Sequence, residues 1–214
     1  MTTAGLPFAK GHGTENDFVL LPDLDGTLAV SADLVRALCD RRSGIGGDGL
    51  LRVTRHGERW FMDYRNADGS IAEMCGNGVR VFARYLYEEG LVPLGPLTVD
   101  TRGGVKGVVL AEDSVTVDMG PPVFGPESAA TLDGVEHSGD AVSMGNPHLV
   151  CPIDVPLADL DLNRAPVFDA GVFPEGVNIE FVAGAEPLPG TDLHVAIRVH
   201  ERGVGETRSC GTGA

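Results

Sequence analysis

The sequence is poor in positive charge, and in lysine above all. Its 16 lysine and arginine residues are outnumbered by 31 aspartate and glutamate residues, which gives a formal net charge of −15. A chain this acidic repels phosphate backbones, so the composition argues against a nucleic-acid-binding module. Lys10 and Lys106 are the two lysines, and the alternating pattern around Lys106 is typical of a solvated strand residue. A cofactor bound as a Schiff base therefore has few candidate anchors.

Long apolar runs and closely spaced cysteines are also lacking. No stretch approaches the roughly 18 consecutive apolar residues of a membrane-spanning helix, and residues 1–17 contain no apolar segment of secretory-signal length. The four cysteines form no C-x-x-C pair and have no histidine at zinc-binding spacing. We therefore expect a soluble cytoplasmic protein with free thiols, no membrane association and no metal centre.

Short alternating runs separated by glycine, proline and aspartate recur along the chain and predict strands. They cover residues 17–21, 50–54, 59–66, 97–101, 105–110, 114–119, 177–182 and 193–200. Two helices are predicted, one after Ser31 with Gly44 as its stop, and one over residues 77–89. Because the strands outnumber the helices and do not alternate with them, an α+β fold is expected rather than a doubly wound sheet.

Two glycine-rich stretches mark the organisation of the chain. The stretch 120–127 predicts a boundary between a domain of residues 1–119 and a domain of residues 120–214. Residues 44–49 fit the pattern G-x-G-x-x-G, but a helix precedes them and a strand follows, which reverses the order of a dinucleotide site. A tight loop beside a ligand is the better interpretation.

A cysteine followed by a glycine motif occurs twice, as CGNG at residues 75–78 and CGTG at residues 210–213. The first motif opens a predicted helix, whose unpaired N–H groups favour a thiolate and can hold a carboxylate. Two such thiols predict two-base chemistry, in which a thiolate removes a proton from carbon and an opposing thiol returns one. That reaction is a racemisation or an epimerisation. Cys39 and Cys151 lie in apolar patterns and are predicted to be core thiols.

Several ordered motifs extend this interpretation over nearly the whole chain. They are HGTENDF at 12–18, NADGS at 66–70, MCGNG at 74–78, GNPH at 145–148 and VHERGVGETRSCGTG at 199–213. Together they resemble the diaminopimelate epimerase family. The resemblance implies a homodimeric isomerase that needs neither pyridoxal phosphate nor any other cofactor. Its substrate is an amino acid, interconverted between LL- and meso-diaminopimelate in lysine and peptidoglycan precursor biosynthesis.

The resemblance also implies a fold and a set of site residues. The fold is two pseudo-symmetric domains, each a mixed sheet wrapped around a central helix, with the active site in the cleft between them. By matching position, Cys75 and Cys210 are the acid and base. The residues expected to hold the distal, non-reacting amino acid group are Asn16, Asn66, Asn146, Asn178 and Arg202. Those expected to hold the reacting centre are Glu201 and the backbone of Gly76, Asn77, Gly211 and Thr212.

Three points stay open at this stage. His148 matches a family histidine that poises the proton of a catalytic thiol, and a buried structural histidine is the alternative. The family often has glutamine where this chain has Gly49, so a substrate-side hydrogen bond is expected to be missing or supplied by another group. Which cysteine acts on which stereoisomer cannot be deduced from the residues.

The end of the chain is the main departure from the family pattern. Family members continue past the second cysteine with a helix and a last strand, so we expect the second domain to be incomplete. If Ala214 is the true end, an inactive and poorly stable chain is expected. The competing functions are a related racemase of the proline or hydroxyproline type, and a truncated remnant that only binds an amino acid.

Overall fold

The computed structural model describes residues 5–208 and 210–213. The chain separates into two compact units, Met1–Gly120 and Pro121–Ala214. Over the residues described, each unit forms one seven-stranded mixed sheet. Among the described residues, every helix falls short of the length and apolarity that a membrane crossing demands.

The sheet of the first unit curls around a helix. Its strands follow chain order across the sheet: β1 Ala9–Gly13, β2 Asn16–Pro22, β3 Gly49–His56, β4 Arg59–Asn66, β5 Gly95–Thr101, β6 Gly104–Leu110 and β7 Val115–Asp118. The pairs β2–β3 and β4–β5 are parallel, and the other neighbours are antiparallel. Helix α2 (Gly76–Glu88) buries Phe82 and Leu86 against Phe18 and Leu51 of the sheet, and this packing forms the main core.

Both helices begin close to where the sequence predicts. Ser31 caps α1 (Ala32–Cys39), because its side chain accepts a hydrogen bond from the Leu34 N–H at 3.2 Å. The helix ends at Cys39, before the predicted stop at Gly44. Cys75 occupies the capping position of α2 in an extended backbone conformation. The second predicted helix is therefore confirmed, with its start one residue earlier.

The second unit is built almost entirely from strands. They are β8 Val123–Leu132, β9 Val135–Ser143, β10 Pro147–Pro152, β11 Val167–Phe168, β12 Asn178–Gly184, β13 Val195–Glu201 and β14 Gly205–Thr207. Across the sheet the order is β11-β8-β9-β10-β12-β13-β14, with β10–β12 as the parallel pair. In the described residues of this unit the helical structure is one 3-10 turn, Leu157–Asp159. The described residues of the second unit do not include the central helix expected for it.

Three strands in each unit follow the same plan. Strands β2, β3 and β4 are joined first by a parallel and then by an antiparallel pairing, and so are β10, β12 and β13. Phe18 of β2 pairs with Gly49 of β3, and His148 of β10 pairs with Asn178 of β12. The two units are thus pseudo-symmetric, and two residues before each paired residue stands an asparagine, Asn16 or Asn146.

Three residues outside the predicted site test the sequence analysis. Cys39 packs with Leu21 and Val35, and Cys151 packs in the core of the second unit, so both are confirmed as core thiols. Burial raises the pKa of each thiol to about 11. The prediction for Lys106 is wrong. Its side chain is buried, and its ammonium group donates a hydrogen bond to the Met119 carbonyl at 3.0 Å.

Candidate active site

The first half-site is built at the start of α2. The Cys75 sulfur accepts a hydrogen bond from the Gly78 N–H at 3.4 Å, so it takes the place of the usual capping oxygen. Gly78 allows this close approach, because an added Cβ would lie 3.3 Å from the Cys75 Cβ. Helix N–H groups and the positive end of the helix dipole favour a thiolate at this position. The thiol is partly exposed, which leaves it accessible to a ligand.

Asn16 faces Cys75 in an orientation set by Asp48. The Asn16 amide donates to Asp48 Oδ2 at 2.9 Å, and the Asp17 N–H donates to the same oxygen at 3.1 Å. The Asn16 Oδ1 is consequently turned toward Cys75 Sγ, 3.7 Å away, and toward the Asn77 amide, 3.5 Å away. Sequence reasoning missed Asp48. The glycine-rich loop of residues 44–49, which contains Asp48, was the signal that could have revealed it.

An arginine holds the two aspartates of this half-site together. Arg41 donates to Asp17 and to Asp48 at 2.7 Å each. Burial acts to raise the pKa of Asp17, but hydrogen bonds from Arg41 and Lys10 outweigh it and hold that pKa well below its usual range. The Asp17 carboxylate therefore stays ionised at neutral pH. Arg41 also fixes the position of Asp48, which holds the Asn16 amide in one orientation.

Asn66 lies at the end of β4, opposite Gly49 of β3. Its amide donates to Ser70 Oγ at 2.9 Å. A Cβ added to Gly49 would lie 2.6 Å from the Arg65 carbonyl and 2.7 Å from the Tyr64 ring. The glutamine that the family often has here does not fit this backbone, so any substrate-side hydrogen bond must come from another residue.

The second half-site is a chain of buried polar side chains that ends on Cys210. Glu180 Oε1 lies 2.7 Å from His148 Nδ1, and His148 Nε2 lies 3.0 Å from Asn146 Oδ1. The Asn146 amide donates to Thr212 Oγ1 at 3.1 Å, and that oxygen lies 3.2 Å from Cys210 Sγ. All five side chains are buried. Burial and the charge of Glu201 raise the pKa of Cys210 to about 11, opposed by the hydrogen bond with Thr212.

Asn178, Glu201 and Arg202 lie beside these hydrogen-bonded side chains. Asn178 Oδ1 accepts the Arg202 N–H at 2.9 Å, and its amide donates to the Pro147 carbonyl at 3.1 Å. The Arg202 guanidinium donates to the Glu175 carbonyl at 3.2 Å. Thr207 donates to the Glu201 carboxylate. These contacts connect the ends of β10, β12 and β13, where the register already aligns them.

His148, Glu180 and Cys210 also offer a nitrogen, an oxygen and a sulfur atom within 4.8 Å of one another. Over residues 5–208 and 210–213 this is the one such group of potential metal ligands. A bound ion would have to replace the hydrogen bond that joins His148 to Glu180. The geometry is accounted for by the hydrogen-bonded chain alone.

Within each unit several of the predicted residues are in contact, whereas the Asn66 amide contacts Ser70. In the first unit Asn16 is within hydrogen-bonding reach of both Cys75 and Asn77. In the second unit Cys210, Thr212, Asn146 and His148 are connected, and Asn178 contacts Arg202. Asp48 and Glu180 contact these candidate residues, and the sequence analysis missed both.

Comparison with protein families and curated proteins gives one consistent result. The family model described as diaminopimelate epimerase matches residues 8–125 and 140–214. Diaminopimelate epimerase from Thermobifida fusca (strain YX) is 54% identical to this chain, over 96% of the chain and 79% of that protein. The protein of the same name from Corynebacterium glutamicum is 50% identical, over 97% of the chain and 79% of that protein.

Solved structures share the fold at low sequence identity. A hydroxyproline epimerase from Agrobacterium vitis matches with a TM-score of 0.64 and 14% identity, over 96% of this chain and 73% of that one. A PhzF-family phenazine biosynthesis protein from Bacillus anthracis matches with a TM-score of 0.61 and 15% identity, over 96% and 75%. At this identity the likeness extends to the fold alone.

Proposed function

The chain belongs to the diaminopimelate epimerase family, and on this premise we propose that Cys75 and Cys210 are its catalytic acid and base. The enzyme is an isomerase that interconverts LL- and meso-diaminopimelate, a step of lysine and peptidoglycan precursor biosynthesis. One observation supports the assignment above the others. Each of these thiols receives a hydrogen bond or contact from the glycine-rich turn that follows it, and the pseudo-symmetry gives each half-site an equivalent asparagine.

The proposed mechanism needs no bound cofactor. A thiolate removes the α-proton from one face of the substrate carbon, and the other thiol delivers a proton to the opposite face. Because an amino acid α-proton is very weakly acidic, the negative charge that develops toward the carboxylate must be stabilised. The backbone N–H groups of Gly76, Asn77, Gly211 and Thr212 are suited to that role, and Glu201 is suited to hold the reacting ammonium group.

The remaining polar residues are proposed to select the substrate. Diaminopimelate carries a second amino acid group, which needs donors for its carboxylate and acceptors for its ammonium. Asparagine side chains supply both, and arginine adds a two-point grip on a carboxylate. The residues proposed for this distal group are Asn16, Asn66, Asn146, Asn178 and Arg202.

We propose two half-domains, residues 1–119 and 120–214, each supplying one thiol to a homodimeric enzyme in the cytoplasm. A reducing compartment suits the mechanism, since both thiols must stay unoxidised. The homodimer rests on the family resemblance. Its test is the mass of the protein in solution, measured by light scattering and compared with the chain mass of 22.4 kDa.

Solvent isotope incorporation tests the proposed function. In D₂O, LL-diaminopimelate should be converted to meso-diaminopimelate that carries one deuteron at the inverted α-carbon, as measured by mass spectrometry and chiral chromatography. L-Proline and trans-4-hydroxy-L-proline should take up no deuterium under the same conditions. Deuterium uptake into proline, with none into diaminopimelate, would reject the substrate assignment.

Asp48 offers a sharper test of the first half-site. In Asp48→Ala the Asn16 amide loses the acceptor that fixes it, so kcat/KM for diaminopimelate should fall by about 10- to 100-fold, the size of a positioning effect. Asp48→Asn should fall less, because its side-chain oxygen can still accept from Asn16. Steady-state rates in both reaction directions give the measurement.

The control is Asp33→Ala. Asp33 is exposed on α1 and forms an ion pair with Arg36, so its loss should leave kcat/KM within twofold of the unsubstituted enzyme. Equal losses in Asp48→Ala and Asp33→Ala would contradict the orienting role of Asp48.

A further inference from the structure

The two half-sites differ in character at a pair of equivalent buried positions. In the first sheet Phe18 and Leu51 are fully buried neighbours in the core. The register of β10 and β12 places His148 and Glu180 at the equivalent positions of the second sheet, two residues after Asn146 and two after Asn178. A buried acid and an imidazole thus stand where the first unit has two apolar side chains. Burying them has a cost that apolar side chains avoid, which points to a function for the pair.

The direction of each hydrogen bond between Glu180 and Cys210 can be deduced from the donors and acceptors along the way. Asn146 donates its amide to Thr212, so its oxygen faces His148 Nε2. An amide oxygen only accepts, and His148 must therefore carry its proton on Nε2. Glu180 keeps it there in either of its protonation states. As a carboxylate it accepts from a doubly protonated ring, and as an acid it donates to Nδ1 of the neutral ring.

The same reasoning fixes the proton at the far end of the chain. Because Thr212 Oγ1 already accepts from Asn146, its own hydroxyl proton is available to Cys210 Sγ, 3.2 Å away. A donated hydrogen bond favours the thiolate form of Cys210. Asn16 does the reverse in the first half-site, where its oxygen faces Cys75 and accepts from the thiol.

We propose that Glu180 is a positioning residue for Cys210, acting through His148, Asn146 and Thr212 to keep the Thr212 hydroxyl proton directed at the sulfur. This rests on the proposed catalytic role of Cys210. Glu180 is fully buried, so it reaches the reaction only through these neighbours.

Packing around the Glu180 carboxylate supports the same role. A Cβ added to Gly213 would lie 2.2 Å from Glu180 Oε1, so the turn that carries Cys210 rests directly on this carboxylate. Oε2 has no hydrogen-bond partner in the described part of the chain. The charged groups facing Cys210 are Glu180 on β12 and Glu201 at the end of β13, and both charges act to raise its pKa.

Because of those charges, an electrostatic role and a positioning role of Glu180 predict opposite shifts in the reactive pH of Cys210 for one variant, Glu180→Leu. If Glu180 acts only through its charge, both Glu180→Gln and Glu180→Leu should lower the pH at which Cys210 becomes reactive. If Glu180 also positions His148, Glu180→Gln should lower that pH by no more than the loss of its charge, because its amide can still bond to Nδ1. Glu180→Leu, which copies Leu51 of the first unit, should shift it upward. Apolar replacement of a buried ionic pair is commonly tolerated by the fold.

The measurement is the pH profile of alkylation by iodoacetamide, followed separately at Cys210 and Cys75 by peptide mass spectrometry. Thr212→Val removes the last donor and should shift the Cys210 midpoint upward by about one pH unit. Glu180→Leu should shift it in the same direction, and the double variant should shift it no further than Thr212→Val, since both act through one chain. The Cys75 midpoint should stay fixed in every variant and is the internal control.

Steady-state rates complete the test. Glu180→Leu should lower kcat about tenfold with KM within twofold, and Glu180→Gln should restore kcat. A downward shift in both variants, additive shifts in the double variant, or unchanged profiles in Glu180→Leu would overturn the proposal. Alkylation does not require turnover. If the protein does not epimerise diaminopimelate, the proposed function is rejected, but the alkylation profiles still test the role of Glu180.

Discussion

Replacing either Cys75 or Cys210 by serine should reduce epimerisation of diaminopimelate by about 10³-fold or more. A hydroxyl group is much less acidic than a thiol, so serine supplies neither a base of useful strength nor a matched acid. In the proposed mechanism each face of the substrate carbon depends on one of the two groups, and neither thiol can replace the other. The measurement is the rate of conversion of LL- to meso-diaminopimelate, followed by chiral chromatography from both directions.

The other two cysteines provide matched controls. Cys39 and Cys151 are buried thiols in apolar clusters, and burial raises the pKa of each to about 11. Serine at either position places a hydroxyl group in an apolar core, which should cost about 1–3 kcal/mol of stability while kcat stays within twofold. Retention of a tenth of the activity by Cys75→Ser or Cys210→Ser would rule out the two-base assignment.

Local signals predicted the helices and the catalytic candidates. Ser31 and Cys75 each precede an apolar stripe at helical spacing, so capping and periodicity agree within a few residues of chain. The repeated C-G-polar-G motif distinguished Cys75 and Cys210 from the core thiols without any long-range information. These features depend on neighbours in sequence, which a single sequence displays.

Strands with mixed surroundings were harder to predict. Residues 123–132 and 135–143 form a long antiparallel pair, yet glycine, proline and acidic residues interrupt their alternation, and the first half of β8 is exposed. Strand β1 contains two glycines in five residues. Such strands are stabilised by pairing with distant segments rather than by their own pattern. For the same reason Lys106 was misread, since its partner Met119 lies 13 residues away.

Asp48 and Glu180 were missed because the residues that they contact are distant in sequence. Glu180 lies in a correctly predicted strand, but both faces of β12 are buried there, and alternation alone assigns a charged residue to solvent. Only the parallel register of β10 and β12 shows that Glu180 and His148 are neighbours. Buried polar networks of this kind need the tertiary structure to be seen.

Gly49→Gln should destabilise the first unit and impair the enzyme, although the family resemblance leads us to expect glutamine at this position. A Cβ here would lie 2.6 Å from the Arg65 carbonyl and 2.7 Å from the Tyr64 ring, so β3 and β4 must separate to admit any side chain. Overpacking of this kind costs about 3 kcal/mol, equivalent to a fall of roughly 6–12 °C in Tm. Asn66, which pairs with Gly49, should move as well, and its displacement should lower kcat/KM.

The matched control is Gly107→Ala on strand β6 of the same sheet. Its added Cβ would approach no atom closer than 3.6 Å, and its backbone conformation is open to any residue, so Tm should stay constant or rise slightly. Gly49→Ala separates the effect of the clash from the effect of the glutamine amide, because it introduces the Cβ without the amide. If Gly49→Gln matched the Tm of Gly107→Ala and raised kcat/KM, the strands would be shown to yield, and a substrate hydrogen bond would account for the family's glutamine. Loss of stability in both Gly49 variants, with Gly107→Ala unaffected, would instead tie this glycine to the close pairing that holds Asn66 in the site.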